Sequence, residues 1–155
     1  MRTINLAVWH CSADEAGVDH PLDYYDKMHR EKRGFRKVGY HIIIHPDGSV
    51  EFGREIWEIG AHAKGYNRNS IGIMYVGGLE KGSKTHDRPN GTPKDTRTPA
   101  QRKTMKDLKR YLDYMYSGIK HVGHRDLSVD LNGDGVISPG EWMKACPCFD
   151  VATEL

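Results

Sequence analysis

Two imidazoles and one thiol stand far apart in the chain: His10 in Trp9-His10-Cys11-Ser12, His124 in Gly123-His124-Arg125-Asp126, and Cys146 in Lys144-Ala145-Cys146-Pro147. Two ring nitrogens and a thiolate sulfur suit zinc, and three protein ligands leave a fourth position to water, the arrangement of a catalytic site. Spacing alone leaves this open, because no HxxxH or CxxC motif ties the three together. The same residues also suit hydrogen-bonded strand ends and a buried thiol. A second signal lies between the last two of them. Asp130, Asn132, Asp134, Ser138 and Glu141 offer side-chain oxygens at positions 1, 3, 5, 9 and 12 of a twelve-residue stretch, with Gly135 at position 6 and the Val136 carbonyl at position 7. Hard oxygen donors at that spacing form the EF-hand pattern and predict Ca2+. Neither flank reads as a long helix, so the expectation is an isolated calcium-loop-like insertion over residues 129–142.

The elements that must carry these groups follow from apolar period and turn signals. Asn5 to Trp9 reads as a buried strand that delivers His10 at its end. Leu22, Tyr25 and Met28 recur at helical spacing and predict a helix over about 21–32, stopped by Gly34. Residues 39–45 form the most strand-like stretch. Pro46-Asp47-Gly48 then gives a turn, and Val50-Glu51-Phe52 the second arm of a hairpin. Ile71 to Val76 is a further buried strand, closed by Gly77-Gly78. From Glu80 to Thr98 there is no Val, Ile, Leu, Met, Phe, Tyr or Trp, which predicts one long surface loop. Thr98-Pro99-Ala100-Gln101 carries the signature of a capped helix start, and Met105, Leu108, Leu112 and Met115 continue one face to about Tyr116. Strands mixed with two helices predict an α/β fold: a single domain over residues 1–155 with a central mixed sheet flanked by helices.

Composition narrows the partners. The chain has 155 residues with 23 Lys and Arg against 21 Asp and Glu, a net charge of +2 that is too mild for a nucleic-acid partner. That balance hides an acidic cluster from Asp126 to Glu141, so the rest of the surface is more basic than the net figure. No apolar run is long enough to enter a bilayer. Residues 1–20 lack the apolar core of a secretory signal, so synthesis in the cytoplasm is expected. A monomer is expected. Three cysteines argue against a disulfide framework. A Cys11–Cys148 bridge and buried free thiols both remain open for the two cysteines outside the donor set.

Six blocks stand in one order: Val8-Trp9-His10-Cys11-Ser12-Ala13; Val38-Gly39-Tyr40-His41-Ile42-Ile43-Ile44; Gly60-Ala61-His62-Ala63-Lys64-Gly65-Tyr66-Asn67; Asn69-Ser70-Ile71-Gly72-Ile73; Gly123-His124-Arg125-Asp126; and Lys144-Ala145-Cys146-Pro147. Together, from about Leu6 to Asp150, the chain resembles the zinc-dependent N-acetylmuramoyl-L-alanine amidases of the type 2 family. That family includes T7-type phage lysozymes and is related to peptidoglycan recognition proteins. The resemblance implies zinc on His10, His124 and Cys146, where it would acidify a bound water toward a pKa of roughly 7 and polarise the scissile carbonyl. It implies hydrolysis of the amide between N-acetylmuramic acid and L-alanine in peptidoglycan or muropeptides, on the cell wall after lysis or export. It also implies Tyr40 and Lys144 as catalytic donors to the oxyanion, and His62 and Asn67 as substrate contacts in a groove-lining loop. Met74 departs from members that carry a glutamate base in that strand, and it cannot accept a proton. The other reading of the resemblance is a muropeptide-binding module without catalysis, against which Cys146 argues by completing a metal site.

Overall fold

The structure is a computed structural model describing residues 2–155. In chain order it runs β1 (Leu6–Cys11), β2 (Asp14–Glu15), α1 (Leu22–Arg33), β3 (Ile42–Ile44), β4 (Val50–Phe52), β5 (Ser70–Tyr75), β6 (Gly78–Leu79), α2 (Pro99–Met115), β7 (Lys120–Gly123) and α3 (Val151–Glu154). Five strands make one sheet in the order β4-β3-β5-β1-β7, and β2 pairs with β6 beside it. Only β4 runs antiparallel, as the return arm of the hairpin; the other pairings are parallel. The central mixed sheet of an α/β domain is therefore present as expected.

Strand β1 lies between two parallel neighbours and is buried along its whole length, which explains why its residues read as a continuous apolar run. Its side chains still divide by the two-residue period. Ala7, Trp9 and Cys11 join Ile42, Ile71, Ile73, Met105 and Leu112 in one core, under α2. Leu6 and Val8 face the other side with Ala63, and His10 follows them at the same period. The strand that builds the core thus also delivers the first candidate ligand.

Helix α2 begins where the sequence predicts. Thr98 Oγ accepts the Gln101 amide at 3.0 Å, and Gln101 Oε1 accepts the Thr98 amide at 3.0 Å. The fully buried Gln101 also donates its side-chain amide to the carbonyls of Ile44 and Val76, which pins the helix to the sheet. The buried face is narrower than the predicted one, since Met115 is half exposed while Met105 and Leu112 are buried. Strand β3 is also shorter than the predicted 39–45 run. Gly39 donates to the His29 ring and Gly53 donates to the His41 carbonyl, so this stretch is spent on positioning Tyr40 and His41. Residues 80–98 form the long irregular loop, held by a Leu79–Pro93 bridge and the Glu80 amide on the Thr92 carbonyl.

A charged clasp secures α1 to the hairpin. His45 faces Asp19 Oδ1 at 2.7 Å with one ring nitrogen and Glu51 Oε2 at 2.9 Å with the other. The same Glu51 oxygen accepts the Leu22 amide that starts α1. Only the imidazolium donates on both sides. Burial pulls the His45 pKa down, but the two carboxylates outweigh it and hold the group above its ordinary value. The resulting stability is fully present below pH 6.5 and is lost as the pH rises through the raised value. His45→Gln is expected to lower Tm by about 2–4 °C at pH 6, roughly 1 kcal/mol, with a smaller difference in mild alkali. Equal melting of variant and wild type at pH 6, by calorimetry, would remove the clasp from the account.

Candidate active site

His10 leaves β1 with both ring nitrogens occupied. Its Nδ1 faces Cys146 Sγ at 3.8 Å, and its Nε2 faces His62 Nδ1 at 3.0 Å. His124 begins the single helical turn His124–Leu127 directly after β7, and its ring lies 4.6 Å from that of His10, centroid to centroid. The Asp126 carboxylate accepts the Gly123 amide at 2.7 Å and fixes that turn. The Arg125 amide donates to the Cys146 carbonyl at 2.8 Å, so the backbone next to one candidate ligand holds the backbone of another. Gly123 is required at this junction, because a Cβ there would stand 2.7 Å from the Pro147 ring. Among the described residues, His10, His124 and Cys146 are the group brought together, with ligand atoms within 4.8 Å of one another. Nitrogen and sulfur donors around a tetrahedral zinc ion stand ~3.5 Å apart, so the donor set fits zinc after a small closure.

The protonation states suit the same purpose. Burial, then the neighbouring His62, His124 and Lys144, hold His10 well below its usual value. Burial, then Lys144 and Arg33, bring His124 down to about 4. Both imidazoles are neutral at physiological pH and keep a lone pair free. Cys146 Sγ accepts the Cys11 amide at 3.3 Å, which fixes the direction of the sulfur. Cys11 and Cys148 are free thiols, 3.9 Å apart. The neighbouring Cys146 sulfur, then burial, hold Cys11 above the ordinary thiol range, and the Cys11 sulfur, then burial, do the same to Cys148.

The three groups lie at the floor of a groove of about 1010 Å3. Tyr40 stands over it with its ring 5.1 Å from that of His10. Burial above all, then the nearby Cys146 and Cys11, push the phenol well above its ordinary value, so it remains a donor. Lys144 lies on the exposed rim, two residues before Cys146. The lining carries the cations Arg33, Lys64 and Lys144 and, among the described residues, no carboxylate.

His62 and Asn67 also border the groove, and the His62 ring and the Asn67 side-chain oxygen have partners within the protein. Asn67 Oδ1 accepts the amides of His62 and Ala63 at 2.8 and 2.9 Å. That oxygen shapes the loop. His62 is buried, between His10 and Ser70 Oγ. Met74 sits beside His10 in register on β5 and is buried against Tyr25 and Ile43, which leaves an apolar wall where a base would stand.

Two further histidines, His29 outside the six blocks and His41 within the second, also support this region. His29, on α1, accepts the Gly39 amide at 3.0 Å and packs against Tyr40; burial brings it down to about 4, so it is a neutral acceptor. His41 Nδ1 accepts the Gly72 amide at 2.9 Å and ties the hairpin to β5. The available signal was weak: His29 falls on the buried side of a predicted helix.

The side chains of the acidic loop order its own backbone. Asp130 accepts the amides of Gly133 and Gly135, Asn132 that of Asp134, and Asp134 that of Val136. Glu141 accepts the amides of Leu131 and Ser138 and the Ser138 hydroxyl. Asp130, Asn132, Asp134 and Glu141 thus have partners in the loop's own backbone, Val136 and Ser138 serve as donors to them, and the Ca2+ expectation gains no support. The Ser138 amide and hydroxyl, then the Leu131 amide, bring Glu141 down to about 2. Its contribution to loop order is present above pH 4.5 and lost as the pH falls through about 2. In Glu141→Gln, amide exchange at Leu131 and Ser138 is expected to accelerate on the order of tenfold at neutral pH. Unchanged exchange there would show that the carboxylate does not order the loop.

Comparisons with known proteins agree over most of the chain. The family model for N-acetylmuramoyl-L-alanine amidase matches residues 1–148. An endolysin of Klebsiella phage KP32 is 36% identical over 142 residues, covering 92% of this chain and 79% of its own length. The solved N-acetylmuramoyl-L-alanine amidase LysC from Clostridium intestinale matches with a TM-score of 0.69 at 24% identity, over 96% of this chain and 79% of its own. Drosophila peptidoglycan recognition protein SD matches with a TM-score of 0.68 at 20% identity, over 95% and 76%. At those identities the two structures establish the fold alone.

Proposed function

The chain belongs to the N-acetylmuramoyl-L-alanine amidase family, and from that membership we propose that zinc on His10, His124 and Cys146 serves its hydrolysis of the amide joining N-acetylmuramic acid to L-alanine. One observation carries the reading. Two imidazole nitrogens and a cysteine sulfur from separate parts of the chain converge within 4.8 Å in the lining of a groove. When bound, zinc would supply a Lewis acid and a water acidified to near neutral pH.

The protein's own groups have separate roles in this proposal. Tyr40, a persistent phenol donor, hydrogen-bonds the scissile carbonyl oxygen as negative charge develops on it. Lys144 adds positive charge at the rim of the same site. Arg33 and Lys64 attract the carboxylates of a stem peptide into a groove whose lining carries no acid to repel them. Met74 leaves the strand without a carboxylate base, so the proton of the attacking water is not taken up there. In the cell, access to the wall follows lysis or export, as suits the resemblance to an endolysin.

Fold does not separate catalysis from binding here, because a catalytic amidase and a recognition protein match with nearly equal TM-scores. The thiol at position 146 separates them, since binding a muropeptide needs no third ligand. Metal analysis of the purified protein with mass spectrometry of digested peptidoglycan tests the proposal. The expected result is one zinc per chain and free stem peptides that begin at L-alanine. Fragments that retain the lactyl-alanine bond, or a protein free of zinc and fully active, would overturn it.

A further inference from the structure

We infer that His62 is a positioning residue for the metal centre: it accepts a hydrogen bond from His10 Nε2 and so presents His10 Nδ1 to the ion. The inference rests on the zinc reading above and names the role of a buried residue in it. His10 Nδ1 is the atom that faces Cys146 Sγ, so Nδ1 must keep its lone pair and the ring proton must sit on Nε2. That N–H points at His62 Nδ1, 3.0 Å away, which makes His62 Nδ1 the acceptor and leaves the His62 proton on Nε2. Ser70 Oγ stands 3.3 Å from that second nitrogen and receives it. The chain His10 to His62 to Ser70 thus assigns one tautomer to each ring, and both His62 nitrogens are spent inside the protein.

The surroundings are built for this ring. Gly60 and Gly72 flank it, and a Cβ at Gly60 would stand 2.5 Å from its Cδ2 while one at Gly72 would overlap the ring. Asn67 Oδ1 grips the His62 and Ala63 amides and sets the height of the loop. His41 packs edge-on at 5.8 Å, between centroids, from the far side. A substrate contact would require the ring to break from His10, whereas its burial and its packing hold it there. Groups that orient a ligating imidazole in this way raise metal affinity by 10–100-fold in general.

The test compares two side chains of nearly equal size. In His62→Asn the amide oxygen overlies Nδ1 and accepts from His10; in His62→Leu nothing accepts. Zinc dissociation constants, measured by competition with a chromogenic chelator, are expected to rise 10–100-fold in His62→Leu and to stay within about threefold of wild type in His62→Asn. Equal affinity in all three proteins, or equal weakening in both variants, would overturn the inference and leave His62 a packing residue. Failure of wild type itself to bind zinc would instead overturn the metal reading. Nitrogen-15 NMR of the wild-type histidine rings needs no variant to fold. It should report His62 Nδ1 as a hydrogen-bond acceptor and His10 Nε2 as protonated, and the reverse assignment would also overturn the inference.

Discussion

Cys146→Ser is expected to lose peptidoglycan hydrolysis by at least about 10³-fold, on the order of 4 kcal/mol of barrier, and to retain less than ~10% of the wild-type zinc. The reason lies in the donor. A cysteine sulfur is a soft donor and is already aimed by the Cys11 amide at 3.3 Å, whereas a serine hydroxyl is a hard, poor partner for zinc. Muropeptide binding should survive, because Arg33 and Lys64 are unaltered in the groove. The expected signature is therefore lost turnover and lost metal with a muropeptide Kd changed less than about threefold. Full activity in the variant would remove Cys146 from the site. A wild-type protein that binds muropeptide and never cleaves it would be a recognition module.

Tyr40→Phe has the second largest expected effect: kcat falls 10²–10³-fold, about 2.7–4 kcal/mol, while KM and zinc content remain near wild type. The substitution removes one oxygen and keeps the ring that packs against His10, His29 and His62. What is lost is a hydrogen bond that strengthens as the carbonyl oxygen becomes charged, so the loss falls on kcat. Because burial holds the phenol above its ordinary value, wild-type activity should show no decline from Tyr40 ionisation between pH 7 and pH 9. An unchanged kcat would assign Tyr40 to packing alone.

Much of the scaffold was legible because its signals are local. The Thr98–Gln101 capping box, the Pro46–Gly48 turn and the stop at Gly34 are each decided within a few residues, and the structure has all three. Gly34 takes the left-handed conformation at φ 65° and donates back to Arg30, as a helix terminator must. The acidic loop is undecided at that range for the same reason: Asx turns and calcium loops draw on the same residues at the same spacing. Local pattern cannot tell whether a carboxylate faces its own backbone or an ion. The block that carries His62 and Asn67 points to a groove, but only packing supplies the partners of the His62 ring and of Asn67 Oδ1 within the protein.

The sequence by itself determined which donors the chain owns, the order of the strands and helices that carry them, and, through six ordered blocks, the family. It also placed His10 at the end of a buried strand, since a continuous apolar run between two polar residues has few other uses. The tertiary structure decided which donors meet. His10, His124 and Cys146 are separated by parallel pairings and long connections, and their approach depends on the register of β1 against β5 and β7 and on the Arg125 amide reaching the Cys146 carbonyl. Coordination depends on atomic separations of a few ångströms, and local propensity carries no information at that scale across more than a hundred residues. The same limit explains His62: nothing near it in sequence says that His10 is its partner, and the fold alone brings the two rings into contact.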